Sequence, residues 1–111
     1  MAMTEQYRKW IQELLTRYAA LWNGVEGLES QVLFDRVHDR YQWLRMGWKG
    51  SERVFNCVMY FDIRDGKVWL QQNWTDRDPA AELVEMGVPR EDIVLGLQPP
   101  EVRPYTDYGV A

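Results

Sequence analysis

The stretch Phe55-Asn56-Cys57-Val58-Met59-Tyr60-Phe61-Asp62-Ile63-Arg64-Asp65-Gly66-Lys67-Val68-Trp69-Leu70-Gln71-Gln72-Asn73-Trp74 decides the fold. Its centre, Asp65-Gly66, joins two β-rich runs. A type I′ turn needs φ > 0 at both central residues, which Asp and Gly tolerate best. A two-residue loop also sets the register. Arg64 then pairs with Lys67, Ile63 with Val68, Asp62 with Trp69, Phe61 with Leu70, Tyr60 with Gln71 and Met59 with Gln72. Strict alternation puts Phe55, Cys57, Met59, Phe61, Ile63, Val68 and Leu70 on one face, which is expected to be core. The other face carries Val54, Asn56, Val58, Tyr60, Asp62, Trp69, Gln71 and Asn73.

Working outward, Gln31 to Val37, Tyr41 to Trp48, Arg53 to Ile63 and Lys67 to Asn73 read as four strands with short connections, an antiparallel meander. Leu33 interrupts the alternation of the first strand, which predicts cover on both of its faces. Upstream, Tyr7, Trp10, Ile11, Leu14, Leu15, Tyr18, Leu21 and Trp22 recur at helical spacing. They predict a helix over Thr4 to Trp22, stopped by Asn23-Gly24. Downstream, Asp78-Pro79 opens a short helix and Gly87 ends it, with Val88 set to contact Leu83 and Pro89 barring continuation. Ile93-Val94-Leu95 is a short buried run, as a strand or as packing on the sheet. Pro99, Pro100 and Pro104 exclude a regular element beyond it. The tail still carries Val102, Tyr105, Tyr108 and Val110, too apolar for a disordered end. The expected fold class is α+β: a long N-terminal helix, a four-stranded antiparallel meander, a short C-terminal helix and an extended tail, as one domain over residues 1–111.

Bulk properties narrow the function. The 111 residues are 46% hydrophobic and 27% charged, with a net charge of −4, a soluble globular balance. The acidity argues against stand-alone nucleic-acid binding, which relies on clustered Lys and Arg. One cysteine, Cys57, allows no intrachain disulfide, so a cytoplasmic location is expected. No apolar run approaches the ~18 residues of a membrane span, and no secretory leader is evident at Met1-Ala2-Met3-Thr4-Glu5.

Catalytic chemistry is hard to find. His38 is the only histidine and falls in a polar loop with no nucleophile implied nearby. One Cys and one His make no zinc set. Asp62, Asp65, Asp76 and Asp78 could pair on a divalent ion, but each has a local reason as turn residue or cap. Neither catalytic residues nor a cofactor or metal are expected. The feature left over is the second face of the hairpin. Val54, Val58, Tyr60 and Trp69, with the amides Gln71 and Asn73, form the candidate protein interface, because aromatics beside neutral hydrogen-bonding groups suit association. The competing expectations are that the tail folds back and packs Tyr105 or Tyr108 there, or that the face holds a small molecule.

Several blocks carry a resemblance: Gln31-Val32-Leu33-Phe34-Asp35, Asp39-Arg40-Tyr41-Gln42, Met46-Gly47-Trp48, Arg53-Val54, Phe61 to Gln72, Glu82-Leu83-Val84, Gly87 to Gly96, and the closing Tyr108-Gly109-Val110-Ala111. Together they resemble the XisI family, the fdxN element excision controlling factors of cyanobacteria. The resemblance implies an accessory factor in a programmed DNA rearrangement whose recombinase is a separate protein. It implies work alongside an XisH-like, nuclease-type partner, and no catalytic residues. Homo-oligomer formation, direct DNA binding in site-specific recombination, and a role as antidote of the XisH-like protein are the alternatives it leaves open.

Overall fold

The computed structural model describes residues 2–110. Helix α1 (Ala2–Trp22) leads into a short 3₁₀ turn and then the meander β1 (Glu29–Asp35), β2 (Arg40–Lys49), β3 (Glu52–Arg64) and β4 (Lys67–Asn73). Helix α2 (Pro79–Met86) follows, and then β5 (Ile93–Leu95). The strands lie side by side in chain order, and β5 runs parallel to β4. The α+β architecture is the expected one, with Ile93-Val94-Leu95 adding a fifth strand. The first strand begins at Glu29 and ends at Asp35, where the carboxylate accepts the N–H groups of Val37 and His38, both at 3.0 Å. This side-chain turn is why the strand stops short of Val37.

The β3–β4 turn has the expected backbone, with φ of 51° at Asp65 and 77° at Gly66. The four pairs nearest the turn match the expected register. Beyond them a bulge intervenes, and Tyr60 pairs with Gln72 and Met59 with Asn73. The end of α2 is a Schellman stop: the Gly87 N–H reaches the Val84 carbonyl at 3.1 Å and the Val88 N–H reaches that of Leu83 at 3.0 Å. Gly87 has φ of 129°, and a Cβ there would stand 2.7 Å from the Trp10 ring. The stop thus tucks α2 against α1.

Both helices cover one face of the sheet. Tyr7, Ile11, Leu14, Leu15 and Tyr18 of α1 and Leu83 of α2 join Tyr41, Trp43, Met59, Phe61 and Val68 in one buried cluster. Three buried tyrosines satisfy their hydroxyls on carboxylates: Tyr7 donates to Asp92 at 2.5 Å, Tyr41 to Asp39 at 2.8 Å, and Tyr18 to Glu82. Asp39 also receives the guanidinium of Arg8 at 2.6 Å, which pins α1 to the β1–β2 turn and holds the Asp39 carboxyl below its usual range.

A second bulge overturns part of the expected face assignment. Trp43 pairs with Met59 but Leu44 pairs with Cys57, so Val58 is an extra residue in β3. An extra residue exchanges the two faces of everything beyond it. Val58 and Val54 therefore lie on the helix side, Val58 in the core cluster. Phe55 and Cys57, expected in the core, lie on the other side, where Phe55 is 60% exposed. Leu33 is not covered on both faces, being 56% exposed.

Candidate functional site

The face of the sheet turned away from the helices is built in cross-strand rows. Directly paired residues share a face. Leu33, Gln42, Tyr60 and Gln72 make one row. Gln31, Leu44 and Cys57 make the next, and Glu29, Met46 and Phe55 the third. Trp48 opposite Arg53 closes the end, with the guanidinium 5.6 Å from the indole centroid. The middle of this surface carries only apolar groups and neutral amides. Leu33, Trp48 and Phe55 are all more than half exposed. Charge lies at the margins, at Glu29, at Arg53, in the row Asp35–Arg40–Asp62, and around Trp69, where Arg64 with its strand partner Lys67 and Arg103 gather.

Of the six residues expected to form the interface, Tyr60 and Trp69 are on this face. Gln71 is the bulged residue of β4, and its amide donates to Asp62 at 3.1 Å. Val54 and Val58 are on the opposite side, where they line a cleft with Trp43 and Arg45. Asn73 pairs with Met59 and caps the turn into α2, accepting from the Thr75 N–H at 3.0 Å and donating to the Arg77 carbonyl at 3.0 Å. The six do not form one patch. Leu33, Leu44, Met46, Trp48 and Phe55 are the members that strict alternation along β3 missed. The alternation of β2 could have found them: Gln42, Leu44, Met46 and Trp48 share a face, and Phe55 joins them once the bulge is placed.

The tail does fold back, but neither tyrosine packs on this face. Arg103 lies 5.1 Å from the Trp69 ring centroid, with Arg64 at 5.2 Å. The Arg103 Nε donates to the carbonyls of Gln98 at 3.1 Å and Leu95 at 3.3 Å, so one side chain ties the tail to β5 and to the indole. Tyr105 is 88% exposed, and Tyr108 packs on the helix-side core under Arg90. Gly109 runs beside Val94, and its N–H reaches the Ile93 carbonyl at 2.7 Å. Trp69 is thus partly covered from within the chain, and the open surface lies toward β1, β2 and the far half of β3.

Burial pushes the Cys57 thiol up, its Sγ lying 3.6 Å from the Met59 carbonyl, so it is poorly ionised and a weak nucleophile. Burial, then the nearby Asp62 carboxylate, raises the Tyr60 phenol. His38 pairs with Asp35 at 2.8 Å in an exposed turn. Among the described residues, no group of three or more His, Cys, Asp or Glu side chains is placed to hold a metal ion. Among them also, no helix is long and apolar enough to cross a membrane.

Comparison with known proteins gives a consistent answer. No curated protein matches the chain. A XisI-like protein from Anabaena variabilis, known from its crystal structure, is 55% identical over 97% of this chain and 99% of its own, with a TM-score of 0.92. The fdxN element excision controlling factor XisI from the same organism is 32% identical over 97% of this chain and 98% of its own, with a TM-score of 0.85. The XisI protein family matches residues 1–110. The chain belongs to the XisI family.

Proposed function

We propose that this protein is a non-enzymatic controlling factor that acts by binding another protein through the uncovered face of its sheet. The observation that carries the reading is the uncharged centre of that face, with Leu33, Trp48 and Phe55 exposed on it. A wet sheet face ordinarily reads polar. An apolar centre inside a charged margin is the anatomy of a protein interface. The relative named as an excision controlling factor supports programmed DNA rearrangement as the setting, with the XisH-like, nuclease-type protein as the partner. A protein that handles nucleic acid presents basic surface, which a chain of net charge −4 complements. The action is cytoplasmic, where both partners meet the DNA, and it uses no cofactor.

The test replaces Leu33 and Phe55 together by Asp. Neither side chain supports the core, so the melting temperature should stay within a few degrees of wild type. Co-purification with the XisH-like protein should be lost. If the double variant still captures that partner, the interface lies elsewhere. If wild type self-associates through this face and ignores the partner, the occupant is a second copy. Retention of duplex DNA by the wild-type protein alone, with a steep fall as salt rises, would favour direct DNA binding instead.

A further inference from the structure

On the helix side of the sheet, the far end of the molecule holds a cleft of about 370 Å³ between the last turn of α1, the strands β2 and β3, and the Trp74–Arg77 turn. Its apolar walls are Trp22, Trp43, Trp74, Val54 and Val58. Small-molecule sites start at roughly this size and take this form, apolar walls with a few convergent polar groups. The polar group set into it is Arg45.

Arg45 is only 9% exposed. Its Nη2 donates to the backbone carbonyls of Trp22 at 3.0 Å and Val25 at 2.5 Å, which ties down the end of α1. Its Nε is closed off from solvent and has no acceptor. Among the described residues, no carboxylate comes within ion-pair distance of the guanidinium. The residues paired with it across the strands, Ser30 and Asn56, are both neutral. Of the cleft's other charges, Lys49 pairs with Glu26 at 3.5 Å and Arg77 with Glu82 at 3.6 Å, which leaves Asp76 as the remaining carboxylate of the lining. The Arg45 guanidinium is therefore held by backbone carbonyls and by the Trp22 ring, 5.8 Å from its central carbon, and by no ion pair among the described residues. Buried charges are ordinarily paired, and with Nη2 spent on two carbonyls and Nε closed off, Nη1 is the donor left to take a carboxylate oxygen through a charge-assisted hydrogen bond.

We propose that this cleft binds a carboxylate carried on a flat apolar body, with Arg45 as the anion-binding group and the tryptophans as the wall for that body. The site is on the opposite face from the proposed protein interface and does not depend on it. The carboxylate has two sources, a free aryl acid or the C-terminus of a peptide ending in an aromatic residue.

The full chain would be titrated with phenylacetate, with the neutral phenylacetamide, and with N-acetylglycyl-phenylalanine bearing a free carboxylate. Tryptophan fluorescence and amide chemical shifts follow the binding. The acid should bind saturably and roughly tenfold more tightly than its amide, the worth of a charge-assisted hydrogen bond. The tighter of the two acids identifies the source. Arg45→Gln should abolish the difference between acid and amide. Because that variant also loosens α1, Val54→Trp provides an independent check by filling the cleft from a half-buried position, and it should lose binding with circular dichroism unchanged. Equal affinity for acid and amide, or no saturation by either acid up to ~20 mM, well beyond a millimolar Kd, would overturn the proposal.

Discussion

Both faces of the sheet carry large apolar side chains, and these have opposite fates. On one, Tyr41, Trp43, Met59 and Phe61 are all 1% exposed or less. On the other, Phe55, Trp48 and Leu33 are 60%, 58% and 56% exposed. Hydrophobicity did not choose between them. Topology did: β4 and β5 are parallel, so α2 must cross over the sheet, and such crossovers have one strongly preferred hand. Once α2 is committed to a side, α1 joins it there to share a core. The remaining face is left to the surroundings, and its apolar groups are free to serve binding.

The largest expected effect sharpens this contrast within a single strand. Phe61→Ala should cost about 3–5 kcal/mol, from lost burial and the cavity left behind. Phe55→Ala, six residues away in the same strand, should stay within about 0.5 kcal/mol. Denaturant unfolding of the two variants measures both. Comparable losses would mean that Phe55 is covered and that the bulge at Val58 is absent in solution.

An intermediate effect concerns the buried phenols of the covered side. Burial, then the hydrogen bond to the Asp92 carboxylate, pushes Tyr7 up to about 12. Burial and a carboxylate partner also raise Tyr18 and Tyr41. An unfolded tyrosine titrates near 10. Between those values the folded protein holds a proton that the unfolded chain has released, so stability falls as pH rises. The contribution of Tyr7 is complete below about pH 10 and is lost by about pH 12. Tyr7→Phe should lower stability at pH 8 and flatten the decline above pH 10. A decline equally steep in the variant would assign the effect to other groups.

The smallest effect is at the border between the faces. Arg103→Ala should cost about 1–2 kcal/mol, from the cation–π contact with Trp69 and the hydrogen bonds to the carbonyls of Gln98 and Leu95. Amide exchange over residues 97–108 should accelerate while the meander is unaffected. An unchanged exchange rate would show that the Gly109–Val94 contact alone holds the tail.

How much of this was legible in the residues depends on how local the cause is. The β3–β4 turn and the stop of α2 were legible because Asp65-Gly66 and Gly87-Val88-Pro89 each carry a backbone requirement that few residues meet. The buried face of α1 was legible from its spacing. The crossing of faces at Val58 was not, because Val54 and Val58 are as apolar as Phe55 and Cys57, and either alternation reads as a plausible core. Only pairing with β2 distinguishes them, and that is a non-local fact. The tail was legible as ordered, since it carries apolar residues. That Arg103 rather than a tyrosine would meet Trp69 was not, because that contact is set by the path of the chain after β5. Arg45 had the same problem, because a charged residue between Leu44 and Met46 reads as solvent-facing until the end of α1 is seen above it.

The extra residue at Val58 makes the far half of β3 behave like text after a shifted reading frame. Deleting that one residue would make the ladder regular and leave every other residue of β3 on its present face, because Met59 stays opposite Trp43 and Cys57 opposite Leu44. Taking Val58 into the ladder opposite Leu44 would instead slide everything beyond it by one position, carrying Phe55 and Cys57 to the helix side and Val54 and Asn56 to the open face. One slip of register would thus exchange the lining of the cleft with the middle of the open face. A single unpaired residue decides which side chains each face presents, with the composition of the strand unchanged.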